Sequence, residues 1–295
     1  MLYYFVPDTR IFGGIKVGYQ FVDALNALGV PAVIAAPGGR AATWFKSSAA
    51  VTDADAVRQA FRPEDIALFS LPHDYPSLRQ LPGRLIFHCQ GTDPLIDPIL
   101  ADPEVGVLTC WRQATEYMLA HGVREPIEVG ISIPSCFAYS GEPKFERAAA
   151  YMPRRGAELC AEVMRRCDAM RYIAIEGMRE AEVARVMKSC SIFLATAEHE
   201  WFGLPALEAM AAGCLVVSVP VLGGMEYLED GVNCRVARPQ DFTATLEELL
   251  HERSTGLRFR MRQAAIATAH RYSTERMMHK LSALLDGPLS SWRRA

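Results

Sequence analysis

Glu200-Trp201-Phe202-Gly203-Leu204-Pro205-Ala206-Leu207-Glu208, running on through Ala209-Met210-Ala211-Ala212-Gly213, is the stretch on which the reading of this chain turns. It follows an apolar run, Ser191-Ile192-Phe193-Leu194-Ala195-Thr196, with the length and composition of a buried strand. Pro205 suits the first position of a helix, since the N–H it lacks would have no intrahelical partner there. The passage therefore reads strand, loop, helix, with Glu200 in the loop and Glu208 about one turn into a helix over 205–213. Both carboxylates can face one pocket beside the helix N-terminus, whose N–H groups and positive dipole end favour an anion. Taken singly, Glu200 reads as a solvated loop acid and Glu208 as a dipole partner. Together they read as a site for a hydroxyl-rich ligand.

Working outward, the same alternation covers the chain. Apolar runs predict strands at 2–6, 31–36, 65–69, 84–88, 105–109 and 126–130, then at 147–152, 170–175, 191–195, 215–219 and 233–237. Helical spacing predicts 15–28, with Val17, Phe21, Leu25 and Leu28 on one face, and a helix through 116–120 that stops near Gly122. Further helices are expected at 156–166, 180–188, 205–212, 240–251, 255–270 and 274–285. Strand–helix–strand repetition is the signature of a parallel, doubly wound α/β sheet. The pattern lapses between Ile131 and Pro143, where Ser132, Pro134, Ser135, Ser140 and Gly141 make a linker. The expected architecture is two Rossmann-like domains, 1–135 and 136–272, facing each other across a ligand-binding cleft. A terminal helix, 273–295, is expected to pack back toward the first domain.

Composition sets the outer limits. The 295 residues are 50% apolar and 22% charged, with a net charge of −3, which argues against a nucleic-acid partner because such binding needs a basic face. The 8 cysteines form no C-x-x-C pair and mostly sit inside apolar runs, as reduced core residues of a cytoplasmic protein do. No signal peptide or spanning segment is visible. The tail Trp292-Arg293-Arg294 has two readings, a peripheral contact with an anionic membrane or a frayed terminus.

Glu200 and Glu208, the run Leu207-Glu208-Ala209-Met210-Ala211-x-Gly213, and then Gly223-Gly224-Met225-Glu226, Gly231 and Asn233 together resemble the donor-binding half of the retaining family-four glycosyltransferases. The resemblance is close over 180–241 and one of pattern elsewhere. It implies the GT-B fold, a nucleotide diphosphate sugar as co-substrate without a further cofactor or metal, and a saccharide, lipid-linked or small-molecule acceptor. It implies that Glu200 contacts hydroxyls of the donor sugar and Glu208 the ribose. The backbone around Phe202, Gly203 and Leu204 would line sugar and phosphates. Carboxylates suit vicinal diols because two acceptor oxygens can take both O–H donors.

The remaining candidates follow by position in the same resemblance. The phosphate-binding segment corresponds to Ala149-Ala150-Tyr151-Met152-Pro153-Arg154-Arg155-Gly156, where Arg155 stands at the lysine position and Ala150 at the upstream arginine position, leaving Arg154 to compensate. In the first half, Gly13 and Gly14 open a helix after a strand and would face donor phosphates or acceptor. His88 ends a buried strand, and relatives place a histidine of that region on the donor sugar; a satisfied core histidine is the other reading. Gln90, Gly91, Thr92 and Asp93 follow in a loop and could meet the acceptor, while Lys16 reads first as a surface lysine and second as a cation that helps neutralise the diphosphate. Trp201 narrows the pocket or packs the loop. Asp53-Ala54-Asp55 spells a metal-binding D-x-D but fits a helix start better. The outlying Ala150 also fits a weakly active or non-catalytic nucleotide-sugar-binding protein of this fold.

Overall fold

Leu2-Tyr3-Tyr4-Phe5 opens the chain as strand β1 (Leu2–Phe5), and short apolar runs of the same kind supply the other strands of a parallel sheet. These are β2 (Ala32–Ala36), β3 (Val51–Asp53), β4 (Ile66–Phe69), β5 (Arg84–Cys89), β6 (Val105–Thr109) and β7 (Ile127–Glu128), in the order β3-β2-β1-β4-β5-β6-β7. Continuous burial along β4 and most of β5 is what a sheet covered on both faces requires. Its connections carry α1 (Gly13–Ala27), α2 (Ala54–Ala60), α3 (Tyr75–Leu78), α4 (Asp97–Leu100) and α5 (Arg112–Ala120). Helix α1 lies close against the sheet because residue 18 is glycine: a Cβ there would come within 2.7 Å of the Tyr4 ring. The structure is a computed structural model and describes residues 1–154, 156–251 and 255–294, leaving aside the side chains of Thr255 and Arg294.

A second sheet has the order β12-β11-β10-β8-β9, all parallel, from β8 (Phe145–Tyr151), β9 (Arg171–Ala174), β10 (Cys190–Ala195), β11 (Leu215–Ser218) and β12 (Arg235–Val236). Helices α6 (Ala157–Arg166), α7 (Glu180–Ser189), α8 (Leu204–Ala211), α9 (Pro239–His251) and α10 (Thr255–His270) alternate with these strands or follow them. The last helix, α11 (Thr274–Leu285), is followed by a short 3-10 turn, Ser290–Arg294. Contacts divide the chain into two units, Met1–Ser132 with Glu275–Ala295, and Ile133–Thr274. Met277, Leu281, Leu285, Leu289 and Trp292 belong to the apolar core of the first unit. The two α/β, parallel-sheet units of the expected fold class are present.

Three local readings are corrected. The three-residue edge strand β3 was not expected; it is too short to show a period of two and ends on Asp53. Helix α8 begins at Leu204 and holds Pro205 at its second position. Trp292 is completely buried and lies edge-on to Phe21, with ring centroids 6.4 Å apart, while Arg293 pairs with Asp286 at 3.0 Å. The tail is therefore neither frayed at Trp292 nor free to lay that indole on a membrane. Among the described residues no helix is long and apolar enough to cross a membrane.

Candidate active site

In doubly wound sheets ligands bind beyond the carboxyl ends of the strands, where the winding direction reverses. In the second unit the chain runs from β8 outward to β9, then returns to β10 on the other side of β8, so the reversal lies between β8 and β10. The loops leaving these two strands are 152–156 and 196–203, the segments that hold Arg154 and Glu200. Gly156 brings the loops together. It adopts a left-handed conformation (φ 77°), and a Cβ there would overlap the backbone oxygen of Thr196. The Cys160 thiol reinforces the seam at 3.2 Å from the Thr196 hydroxyl. Arg154 is exposed in the first of these loops, and Arg155 lies outside the described residues. Ala150 is wholly buried in β8, so the strand itself offers no cation and the loop must supply it.

The glutamate loop is fastened from below. The Leu222 N–H donates to the Glu200 carbonyl at 3.1 Å and the Gly223 N–H to that of Trp201. Gly224 permits this approach, since a Cβ there would overlap the Phe202 carbonyl. Tyr227 donates its hydroxyl to the Gly203 carbonyl at 2.7 Å, and its ring packs with those of Phe202 and Tyr272 at centroid distances of 5.2 and 6.0 Å. Gly203 takes φ 79°, turning the chain into α8. The Phe202 side chain is therefore buried beneath the loop, and only its backbone can line a ligand.

Glu208 is 6% exposed on the second turn of α8, and Glu200 is half-buried in the loop before it. Burial pushes the Tyr227 phenol well above its usual range, and the carboxylates of both Glu200 and Glu208 add to that rise. Both acids therefore act electrostatically on the same buried phenol. Below the junction, Lys144 donates to the carbonyls of Met187, Lys188, Cys190 and Ala212 at 3.2, 2.8, 2.9 and 2.8 Å. A single ammonium thereby answers the C-terminal dipoles of α7 and α8. Burial lowers its pKa. Neither Lys144 nor Tyr227 could be singled out from sequence, because each works through partners more than twenty residues away.

The first unit reverses its winding between β1 and β4. Gly13 and Gly14 stand at the start of α1, beyond the end of β1, with no side-chain cap on the helix. His88 is not at an open edge, contrary to one expectation. It is completely buried, with Nδ1 3.0 Å from the Tyr4 hydroxyl and Nε2 3.1 Å from the Cys110 sulfur. The Phe21 ring covers it at 4.9 Å, and burial depresses its pKa to about 3. It is the satisfied core histidine, held there because its strand is buried on both faces. Lys16 is likewise not a surface lysine but 4% exposed. Asp53 caps α2 through the Ala56 N–H at 3.4 Å and Asp55 pairs with Arg58 at 2.8 Å, so the D-x-D is a helix start. Among the described residues no group of three or more His, Cys, Asp or Glu is placed to hold a metal ion.

Comparison with known proteins agrees with this geometry. Residues 172–268, within the second unit, match the family model described as Glycosyl transferases group 1. A segment of 46 residues is 48% identical to an alpha-1,6-glucosyltransferase of Actinobacillus pleuropneumoniae, covering 16% of this chain and 14% of that protein. The HepE structure from Anabaena, in complex with UDP and glucose, superposes with a TM-score of 0.70 at 14% identity, over 97% of this chain and 99% of that one. A variant of S. aureus TarM, in a complex that includes UDP, gives a TM-score of 0.63 at 13% identity, over 79% of this chain and 58% of that one. The chain thus spans little of the glucosyltransferase and under two thirds of TarM. The fold is of the GT-B type, and the similarity to the group 1 glycosyltransferases lies within the second unit.

Proposed function

We propose that the protein is a retaining, metal-independent glycosyltransferase that moves a sugar from a nucleotide diphosphate sugar to an acceptor hydroxyl. The observation that carries this reading is that Glu200 in the loop after β10, Glu208 on the helix that follows and Arg154 in the loop after β8 all belong to the segments leaving the two strands between which the second unit reverses its winding. Glu208, buried on the helix, takes the ribose diol, and Glu200, in the loop, takes hydroxyls of the transferred sugar. UDP in the structures of HepE and TarM supports uridine as the base.

Breaking the bond from the anomeric carbon to the diphosphate builds positive charge on the sugar ring and negative charge on the leaving group. Arg154, with Arg155 by its place in the sequence, and the N-terminus of α8 stabilise the departing diphosphate electrostatically. The acceptor hydroxyl attacks from the face that the diphosphate leaves and passes its proton to a phosphate oxygen. No protein nucleophile is assigned. The acceptor is a saccharide, a lipid-linked glycan or a small molecule, and neither a nucleic acid nor a metal takes part. A cytoplasmic protein fits this chemistry, and acceptor choice decides whether it visits a membrane surface.

The test is to incubate the protein with UDP-, GDP-, ADP- and dTDP-sugars, with and without candidate acceptors, and to measure released nucleoside diphosphate. Turnover with a UDP-sugar is the expected result. Binding without release from any of them would leave a nucleotide-sugar-binding protein in place of an enzyme.

A further inference from the structure

We propose that Gln90 presents its side-chain carbonyl oxygen to a sugar hydroxyl at the ligand edge of the first unit, with Tyr4 and His88 as the positioning residues that hold it there. Gln90 follows β5 directly and reaches across β4 to β1, where its Nε2 lies 3.1 Å from the Tyr4 hydroxyl. It is half-buried, and its Oε1 lies against Gly14 at the opening of α1, where a Cβ on residue 14 would overlap it. The amide therefore stands at the carboxyl ends of the strands on which this unit reverses its winding, where ligands of such sheets bind.

The orientation of the amide follows from its surroundings. The positive end of α1 favours the carbonyl oxygen facing it over an NH2 group. With Nε2 turned inward, the Tyr4 oxygen accepts from Gln90; Ser70 is a further hydrogen-bond partner of the phenol, and the arrangement that satisfies His88 puts the phenol proton on its Nδ1 at 3.0 Å. His88 must then carry its own proton on Nε2, which points to the Cys110 sulfur at 3.1 Å. The hydrogen bonds from Gln90 to Tyr4, Tyr4 to His88 and His88 to Cys110 run into the core. Burial keeps His88 neutral and raises the Tyr4 phenol, so no member changes its charge near neutrality. The relay uses one N–H of the Gln90 amide and leaves its carbonyl oxygen beside the start of α1, where a sugar O–H is a donor that fits a neutral acceptor.

This inference rests on the glycosyltransferase reading, and its test separates the two. With a donor and acceptor that the wild type turns over, kcat and KM are measured against singly deoxygenated donors and acceptors for the wild type, Gln90→Ala and Tyr4→Phe. One hydroxyl is expected whose removal costs the wild type about tenfold in kcat/KM, the upper range for a neutral hydrogen bond, and costs Gln90→Ala nothing. Tyr4→Phe keeps the ring, lowers the melting temperature because buried His88 Nδ1 loses its partner, and loses part of the same discrimination. If that hydroxyl belongs to the donor, the effect persists in donor hydrolysis without acceptor; if it belongs to the acceptor, it vanishes there. Gln90→Ala retaining the wild-type penalty at every position would overturn the assignment. A wild type that releases diphosphate from no nucleotide sugar would overturn the functional reading itself.

Discussion

At the strand ends of the second unit stand Glu200 and Glu208, with Arg154 in the neighbouring loop, whereas at those of the first a buried neutral relay through Tyr4, His88 and Gln90 lies beside the Asp8–Arg10 pair and Lys16. The two acids of the second unit come from contiguous sequence, a strand, one loop and the start of one helix, and Arg154 from the loop after the neighbouring strand. The neutral relay draws on residues 4, 14, 88 and 90, which only the sheet order brings together. The difference fits a division of labour. A diphosphate and two diols need charge and paired acceptors, while a second hydroxyl-bearing group needs a single well-aimed dipole.

The comparison can be broken most forcefully at Lys144. Lys144→Met leaves four carbonyls at two helix ends without their cation, and should cost about 3 kcal/mol or more in urea unfolding. A loss below about 1 kcal/mol would mean that water meets those carbonyls as well. Next, Gly156→Ala combines a left-handed backbone with overlap on Thr196 and should cost about 2 kcal/mol while weakening nucleotide binding. Unchanged nucleotide affinity would separate the phosphate loop from the site.

Glu200→Gln should lower kcat tenfold or more, because one charge-assisted hydrogen bond is worth roughly 1.5–3 kcal/mol. Wild-type kinetics would remove Glu200 from the site. A further effect concerns the buried His88 relay and its response to acid. The folded pKa of His88, about 3, lies below the ordinary value of 6.5, so the unfolded chain takes up a proton that the folded one refuses. The stability His88 contributes is complete above pH 6.5 and falls away toward pH 3, at up to about 1.4 kcal/mol per pH unit. Urea unfolding between pH 7 and about 5 should show this slope in the wild type and its loss in His88→Asn. An identical slope in both would place the titrating group elsewhere.

Much of the molecule could be read in advance where local pattern and tertiary role coincide. The run Ser191–Thr196 is apolar because β10 is buried on both faces, and Gly203 and Pro205 mark the turn into α8 because only such residues tolerate it. Reading failed where a residue's role depends on distant partners. His88 carries the same letter whether it meets a sugar or Tyr4 and Cys110. Lys16 carries a charge yet lies between Ile15 and Val17 in the core, Trp292 sits among polar neighbours in sequence but inside the core in space, and β3 has too few residues to show a period. Arg155 lies outside the described residues, so its phosphate role stands as part of the proposal.

The central claim is that the second unit divides the donor between its two acids, ribose to Glu208 and sugar to Glu200. Titration calorimetry with UDP, which lacks the sugar, tests it directly on the wild type, Glu208→Ala and Glu200→Gln. The account predicts that Glu208→Ala loses about tenfold or more in affinity for UDP, since a buried diol contact is gone, while Glu200→Gln binds UDP as the wild type does. Undiminished affinity in Glu208→Ala, or a loss confined to Glu200→Gln, would contradict it.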